Sequence, residues 1–235
     1  MASNCWRIAS GMLLVPVAVA VVAGCGSSGG SSSAASSATA STAANGALTA
    51  ATLREALLTR VNGVAAAAPA SSGTYASMQA ASTKAASGVQ VSPKACTQAA
   101  TAGFNSAALA ASPAAAVTFR VGTNGVSEVL IGSSDKSAAT VLAGQVPAEC
   151  AQYKETIAGK TYTYDLKEKS ISGVGEQARV LNVAAASGKS DEVWSLVYQG
   201  KGFIGTVTVV GPNATEQAVT ELGQQAYAFA TKALS

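Results

Sequence analysis

The N-terminal fifth of the chain cannot contribute to a folded core, and this limits the fold more than any other feature of the sequence. From Gly26 to Gly46 the chain contains only Gly, Ser, Ala and Thr, apart from one Asn, and no charged residue. Such residues bury too little apolar area to offset the entropy cost of ordering the backbone. We therefore expect residues 25–47 to form a flexible tether and residues 48–235, an ordinary domain size, to form one domain.

A short apolar run precedes this tract. Arg7 is the only charged residue before the apolar run Met12–Val22, whose length of about a dozen residues is less than the roughly 20 that a membrane-spanning helix needs. A positive end, a short apolar core and small residues before a cut are typical of a secretory signal. Val22-Ala23-Gly24-Cys25 resembles the lipobox of bacterial lipoproteins, in which a signal peptidase cuts before the cysteine and the thiol carries a diacylglycerol.

We therefore expect residues 1–24 to be a signal peptide and Cys25 to be lipidated. The lipid would hold the protein on the extracytoplasmic face of the cell membrane, and the membrane is its expected first partner. The alternative is an uncleaved N-terminal anchor.

The cysteine count agrees with this interpretation. Cys5 leaves with the signal, so the mature chain holds Cys25, Cys96 and Cys150, and an odd number in an exported protein needs an explanation. Lipidation of Cys25 leaves Cys96 and Cys150 as a natural pair, and a disulfide persists in an oxidising compartment. We predict a structural disulfide; a redox switch is the alternative, but the close Cys-x-x-Cys spacing that tunes a thiol is missing.

The chain contains no histidine, which excludes Ser-His-Asp and Cys-His catalysis and histidine-based zinc sites. Glu149 with Glu155, or Asp191 with Glu192, could be acid and base partners, but solvated surface carboxylates are far commoner. Charged residues are sparse (11%) and the lysines are scattered, so we expect no nucleic-acid partner. These observations predict a protein that is not an enzyme and holds no metal or cofactor.

Hydrophobic periodicity predicts an α+β fold, with a mainly antiparallel sheet packed against N-terminal and C-terminal helices. Thr52 and Glu55 have the spacing of a capping box, as do Asn213 and Glu216 before a long last helix. The predicted helices are 53–61, 74–86, one that opens at Pro93, 136–143 and the C-terminal helix. The predicted strands are 117–121 and 126–131, joined by a turn at Asn124-Gly125, and 161–166, 177–185, 192–198 and 203–210.

Side-chain alternation also assigns faces. Tyr162, Tyr164 and Leu166 should share one face of a strand, and Trp194 and Phe203 should belong to the core of the sheet. On the last helix one face should lie against the sheet; its predicted residues are Val219, Leu222, Ala226, Phe229 and Ala233.

The glycine-rich stretch Gly173-Val174-Gly175-Glu176-Gln177 could suggest a phosphate-binding loop. No helical pattern follows it and the Gly-Lys-Ser/Thr ending is missing, so we interpret it as a turn that leads into a strand.

Three short motifs, together with the lipobox, carry a family resemblance. They are Pro93-x-x-Cys96, Cys150-Ala-Gln-Tyr153 and Gly173-x-Gly175-Glu176-Gln177-Ala178. With these motifs, residues 49–235 resemble actinobacterial lipoproteins whose domain is similar to the extracellular sensor domain of PknH-type receptor serine/threonine kinases. The resemblance implies an α+β domain with a cleft and a ligand-binding or sensory role, expected here without a kinase domain. Those sensor domains typically carry two disulfides, whereas one can form here.

We therefore expect a non-catalytic, extracytoplasmic ligand-binding or sensor-like module. Its sheet and C-terminal helix would frame an apolar cleft for a small or lipidic ligand, but the resemblance assigns no ligand-binding residue. The alternative is a structural or accessory envelope protein that binds a protein or wall partner.

Overall fold

The computed structural model describes residues 48–85, 88–97, 107–187 and 192–235. The predicted signal peptide, Cys25 and the predicted tether lie outside the described residues, as does Asp191.

Among the described residues, nine strands form one antiparallel sheet, and a small hairpin stands beside it. The hairpin consists of β1 (Arg60–Val61) and β2 (Val64–Ala65). The order in the sheet is β3-β5-β6-β11-β10-β9-β8-β7-β4, so that neighbours in sequence are mostly neighbours in space. The strands are β3 (Ser71–Thr74), β4 (Val89–Ser92), β5 (Pro113–Val121), β6 (Asn124–Gly132), β7 (Gln152–Ile157), β8 (Lys160–Ile171), β9 (Ala178–Ala185), β10 (Glu192–Gly200) and β11 (Phe203–Gly211).

Helices cover both faces of this sheet, and the predicted α+β class is confirmed. The helices are α1 (Ala50–Glu55), α2 (Tyr75–Ala85), α3 (Asp135–Ala143) and α4 (Glu216–Leu234), and 3-10 turns lie at Lys94–Cys96, Ala107–Leu109 and Ala148–Cys150. The N-terminal α1 and C-terminal α4 pack on one face, which we call the front face. Helices α2 and α3 and the 3-10 turns pack on the opposite face, the back face.

Strict alternation along the strands builds the two cores. On β10, Leu196 and Tyr198 point to the front face, whereas Val193 and Val197 point to the back face, and all four are buried. Tyr162, Tyr164 and Leu166 share the back face, as predicted, and Phe203 lies in the front core. Trp194 is half-buried against that core rather than inside it.

The predicted face of the last helix is partly wrong. Val219, Leu222 and Ala226 are buried, but Phe229 is 38% exposed, and Ala230 takes the inward position instead. Ala233 is also exposed. Because the helix has 3.6 residues per turn, the position four residues after Ala226 lies nearer the sheet than the position three residues after it.

Both predicted helix caps are displaced. Thr49, not Thr52, caps α1, and the Thr52 side chain reciprocates in the role predicted for Glu55. Helix α1 ends at Glu55, so the predicted 53–61 helix is too long, and its last residue belongs to β1. Thr215 caps α4 by accepting a hydrogen bond from the Ala218 amide (3.1 Å).

The hairpin between β5 and β6 also differs from its prediction by two residues. Asn124 pairs with Val121 inside the ladder, and the turn itself is formed by Gly122 and Thr123, with Gly122 at φ +61°. The predicted helix from Pro93 begins as a 3-10 turn at Lys94–Cys96, and residues 98–106 lie outside the described residues.

Candidate functional site

An open groove lies on the back face, between the segment that follows α3 and the strands β8 and β9. Its volume is about 580 Å³, within the range of small-molecule sites. It is lined by Leu142, Ala143, Gly144, Gln145, Val146, Pro147, Ala148, Ala151, Leu166, Glu168, Lys169, Ser170, Gln177 and Arg179.

An ion pair forms the floor of the groove. Arg179 Nη1 lies 2.6 Å from Glu168 Oε1, and the two side chains are 14% and 18% exposed. The pair also holds the groove wall, because the Arg179 guanidinium donates to the Gly144 carbonyl and Glu168 Oε2 accepts from the Val146 amide (3.0 Å). The loop 144–147 is therefore tied to the sheet through charge-assisted hydrogen bonds.

The sheet register brings these two residues together. Ser170 on β8 is directly opposite Arg179 on β9, so Glu168 is the diagonal neighbour of Arg179 on the back face. Neither residue is predicted as a site residue from the sequence. The sequence did contain a signal for Glu168. This residue continues the inward-facing series of Tyr162, Tyr164 and Leu166, and a charged side chain at an inward-facing position needs a partner.

The glycine turn forms part of the rim of the groove. Val174 is buried in the front core, and a β-carbon at Gly175 (φ +63°) would overlap the Gln199 carbonyl oxygen. The Glu176 amide donates to the Gln199 carbonyl (3.0 Å), and the Gln199 amide donates to the Gln177 carbonyl (2.8 Å). The predicted turn leading into a strand is therefore confirmed, and it sets Gln177 at the rim.

The groove does not lie at the position predicted for the cleft, between the sheet and the C-terminal helix. The space between the sheet and α4 is filled: a β-carbon at Gly223 would lie 2.9 Å from the Leu196 side chain, and Val219 and Ala226 are buried there. The groove opens on the opposite face. Its lining also mixes aliphatic and polar side chains instead of being apolar.

A second polar cluster is buried on the back face, on β7 and β8. Tyr153, Glu155 and Tyr164 are at most 4% exposed, and the two tyrosine rings stack with centroids 5.5 Å apart. Glu155 Oε2 and both hydroxyl groups have no hydrogen-bond partner in the described part of the chain. Burial raises the pKa of Glu155 to about 7; burial, and then the nearby Glu155 charge, raise the pKa of Tyr164 to about 12 and that of Tyr153 still further.

A buried carboxyl group also lies on the front face. Glu128 Oε2 accepts a hydrogen bond from the Leu58 amide (2.8 Å), and burial raises the pKa of Glu128 to about 7. Burial, and then the Glu128 charge, raise the pKa of Tyr198, whose hydroxyl has no hydrogen-bond partner among the described residues.

The predicted disulfide is confirmed. Cys96 and Cys150 are bonded, with Cα atoms 5.3 Å apart, and both are fully buried. Each cysteine ends a 3-10 turn that follows a proline, so the bond joins two similar turns over the back face. Cys25 lies outside the described residues, and its lipidation stays a prediction.

The carboxylates considered as acid and base partners have different surroundings. Glu149 is exposed, whereas Glu155 is buried. Glu192 accepts hydrogen bonds from Trp194 Nε1 (2.8 Å) and Asn182 Nδ2 (3.2 Å), which gives it a structural role. Within the described ranges, no group of three or more potential metal ligands occurs, and no helix there is long and apolar enough to cross a membrane.

No protein-family model matches the sequence, and no curated protein matches it. Among solved structures, the extracellular domain of PknH from Mycobacterium tuberculosis matches with a TM-score of 0.51 and 13% identity, over 80% of this chain and 97% of that domain. An uncharacterised Mycobacterium smegmatis protein, the Rv0999 orthologue, gives a TM-score of 0.36 at 17% identity, over 63% of this chain and 76% of that one. The resemblance indicated by the motifs is therefore confirmed at the level of fold: the domain is similar to the PknH extracellular domain.

Proposed function

We propose that this protein is a lipid-anchored, extracytoplasmic and non-catalytic module that binds a small ligand in the groove on the back face. The similarity in fold to an extracellular domain of a receptor kinase supports a sensor-like role. The lipobox-like motif at Cys25 supports the anchor, and if the 21 residues from Gly26 to Gly46 behave as a flexible chain, they would give it a reach of roughly 25 Å.

The observation that carries the proposal is the Glu168–Arg179 pair at the floor of an open groove. Moving two charges out of water is costly, and a well-packed apolar pair of similar volume is often at least as stable. Here the pair is mostly shielded and its hydrogen bonds fix the groove wall. A preorganised wall lowers the entropy cost of binding a ligand, which accounts for an ion pair at this position.

Blocking the groove tests the ligand-binding part. Ser170→Trp would place a large ring in the groove from β8, and Thr161→Trp is the matched control, because Thr161 is exposed on the opposite face of the same strand. Molecules that co-purify with the lipidated protein are extracted and compared by mass spectrometry. We expect a molecule that is retained by the wild type and the control and lost from Ser170→Trp.

Repeated absence of any retained or added ligand from the wild type would contradict the proposal. If, in addition, chemical crosslinking captured an envelope partner that the Ser170→Trp variant still binds, the accessory role would replace it.

The anchor is tested separately. Cys25→Ser should release the protein from the membrane fraction, while the Cys96–Cys150 disulfide still forms, as shown by thiol labelling with and without reductant. Continued membrane retention of this variant would show that another segment holds the protein.

A further inference from the structure

The charged side chains of the groove are already paired, whereas its polar side chains can still donate and accept hydrogen bonds. Arg179 is paired with Glu168 and with a backbone carbonyl, and the second Glu168 oxygen accepts a backbone amide. The Lys169 side chain points to the front face, where it pairs with Glu216 on α4 (N···O 2.6 Å), so its charge does not face the groove. A charged ligand group would have to break the Glu168–Arg179 pair to find an opposite charge, so the groove favours an uncharged ligand.

The remaining polar side chains are the carboxamides of Gln145 and Gln177 and the hydroxyl of Ser170. Gln145 on the loop and Gln177 on the glycine turn are exposed at the rim, and each carboxamide both donates and accepts hydrogen bonds. A backbone amide complements a carboxamide in both roles, as a hydroxyl group does. Between them, the wall is aliphatic, and its residues are Leu142, Val146, Pro147, Leu166, Ala148 and Ala151.

From these observations we infer that the groove binds a short, uncharged peptide with small aliphatic side chains. The inference rests on the proposed function, because it names the ligand class of the same groove. Backbone amides would meet Gln145 and Gln177, and methyl groups would lie on the aliphatic wall. The described residues that line the groove include no aromatic ring, so the stacking surface that sugar rings or nucleobases use is not offered there.

Two sources could supply such a peptide. One is a separate envelope peptide, and the other is the chain's own tract of Gly, Ser, Ala and Thr from Gly26 to Gly46, which carries no charge. The chemistry is shared, and the experiment separates the two.

The test uses the lipidated full chain in detergent and an acetylated, amidated tetrapeptide of Ala and Ser. We expect the peptide to shift the backbone amide NMR signals of Gln145 and Gln177. Versions in which one Ala is replaced by Glu or by Lys should bind about tenfold more weakly, and so should the neutral peptide to Gln145→Ala or Gln177→Ala. Gln90→Ala, on an exposed position of edge strand β4, is the matched control and should change nothing.

The two sources are distinguished by replacing residues 26–46 with a Glu/Lys-alternating segment of equal length. Tighter binding of the added neutral peptide to this variant identifies the chain's own tract as a competitor, and unchanged binding identifies a separate peptide as the ligand. Equal binding of charged and neutral peptides, or shifts that avoid both glutamines, would overturn the inference.

The same titration with an uncharged fatty-acid ester and with a neutral sugar distinguishes a wrong ligand class from a wrong binding site. If one of them shifts these amides and the peptide does not, the ligand class is wrong and the groove remains a binding site. If no probe shifts them, the proposed function fails as well.

Discussion

Glu128 should make the folded protein less stable as the pH rises, because its carboxyl group is buried without a cation beside it. The side chain is 1% exposed, and its described hydrogen bond comes from the Leu58 amide. Burial raises its pKa from 4.5 to about 7, so the unfolded chain ionises near pH 4.5 and the folded protein near pH 7. The contribution to stability is therefore fully present below pH 4.5 and is lost as the pH rises through 7.

The two pKa values of Glu128 set the size of the effect. With these two pKa values, ionisation of the buried Glu128 lowers the free energy of unfolding by about 3 kcal/mol at pH 8 and by about 1 kcal/mol at pH 5, a difference of roughly 2 kcal/mol. Glu128→Gln removes the penalty and preserves the shape. The carboxamide oxygen can still accept the hydrogen bond from the Leu58 amide.

Urea unfolding at pH 5 and pH 8 measures this change. The gain in the free energy of unfolding on Glu128→Gln should be roughly 2 kcal/mol larger at pH 8 than at pH 5, and this double difference cancels the titration of all other groups. Glu155→Gln should behave similarly, since its pKa is also about 7. Glu55→Gln, an exposed change on α1, is the control and should have no such effect.

The reasoning is refuted if Glu128→Gln changes the stability equally at both pH values. A loss of stability confined to pH 8 would refute it more directly, because it would show that the folded protein needs the ionised carboxylate.

Further predictions concern the back face and the glycine turn. Replacing Cys96 and Cys150 by Ala opens a 54-residue separation and should lower the free energy of unfolding by about 4 kcal/mol, measured by urea unfolding. Gly175→Ala should cost about 3 kcal/mol or more, because strain at positive φ is added to overlap with Gln199, whereas Gly159→Ala, with positive φ and open space, should cost only about 1 kcal/mol. Glu168→Gln should cost about 2 kcal/mol and speed hydrogen exchange of the Val146 amide; unchanged exchange would show that the ion pair does not hold the loop.

The long, regular elements could be predicted because their side chains decide them locally. The alternation of Tyr162, Tyr164 and Leu166 fixed the face of β8, and the β-branched run after Phe203 fixed β11. The short edge strand β3 carries no such signal, since Ser71–Thr74 is two serines, a glycine and a threonine, and the Val-Gln-Val-Ser alternation of β4 is only four residues long. They are strands because β5 and β7 offer them hydrogen-bond partners, and this depends on tertiary context.

The caps show a second limit. Thr49 and Thr52 form a reciprocal pair that the Ser-x-x-Glu template does not contain, although a threonine hydroxyl can fill both roles. At the C-terminal helix, Asn213 has capping chemistry but is engaged elsewhere, because its side chain donates to Thr123 in the β5–β6 turn (3.2 Å). Which of two nearby polar residues caps a helix depends on such competing partners.

The groove could not be predicted because its parts meet only through the sheet register. Glu168 and Arg179 are 11 residues apart on two strands, and Gly144 and Val146 come from a third segment. The sequence gives no spacing that would group them. The disulfide, by contrast, followed from counting cysteines, since parity left Cys96 and Cys150 with each other.

Three inward-facing glutamates nonetheless point to where the molecule departs from a purely apolar core. Glu128, Glu155 and Glu168 each occupy a strand position whose side chain faces a packed layer. Only Glu168 has a described cation beside it, Arg179, and only this pair lies at an open groove. The other two are covered, and burial without a cation raises their pKa toward neutrality. A carboxyl group that is paired with a cation at the groove holds the groove wall in place, whereas one that is covered without a cation costs stability as the pH rises, so the partner of each glutamate separates the candidate site from the pH-sensitive core.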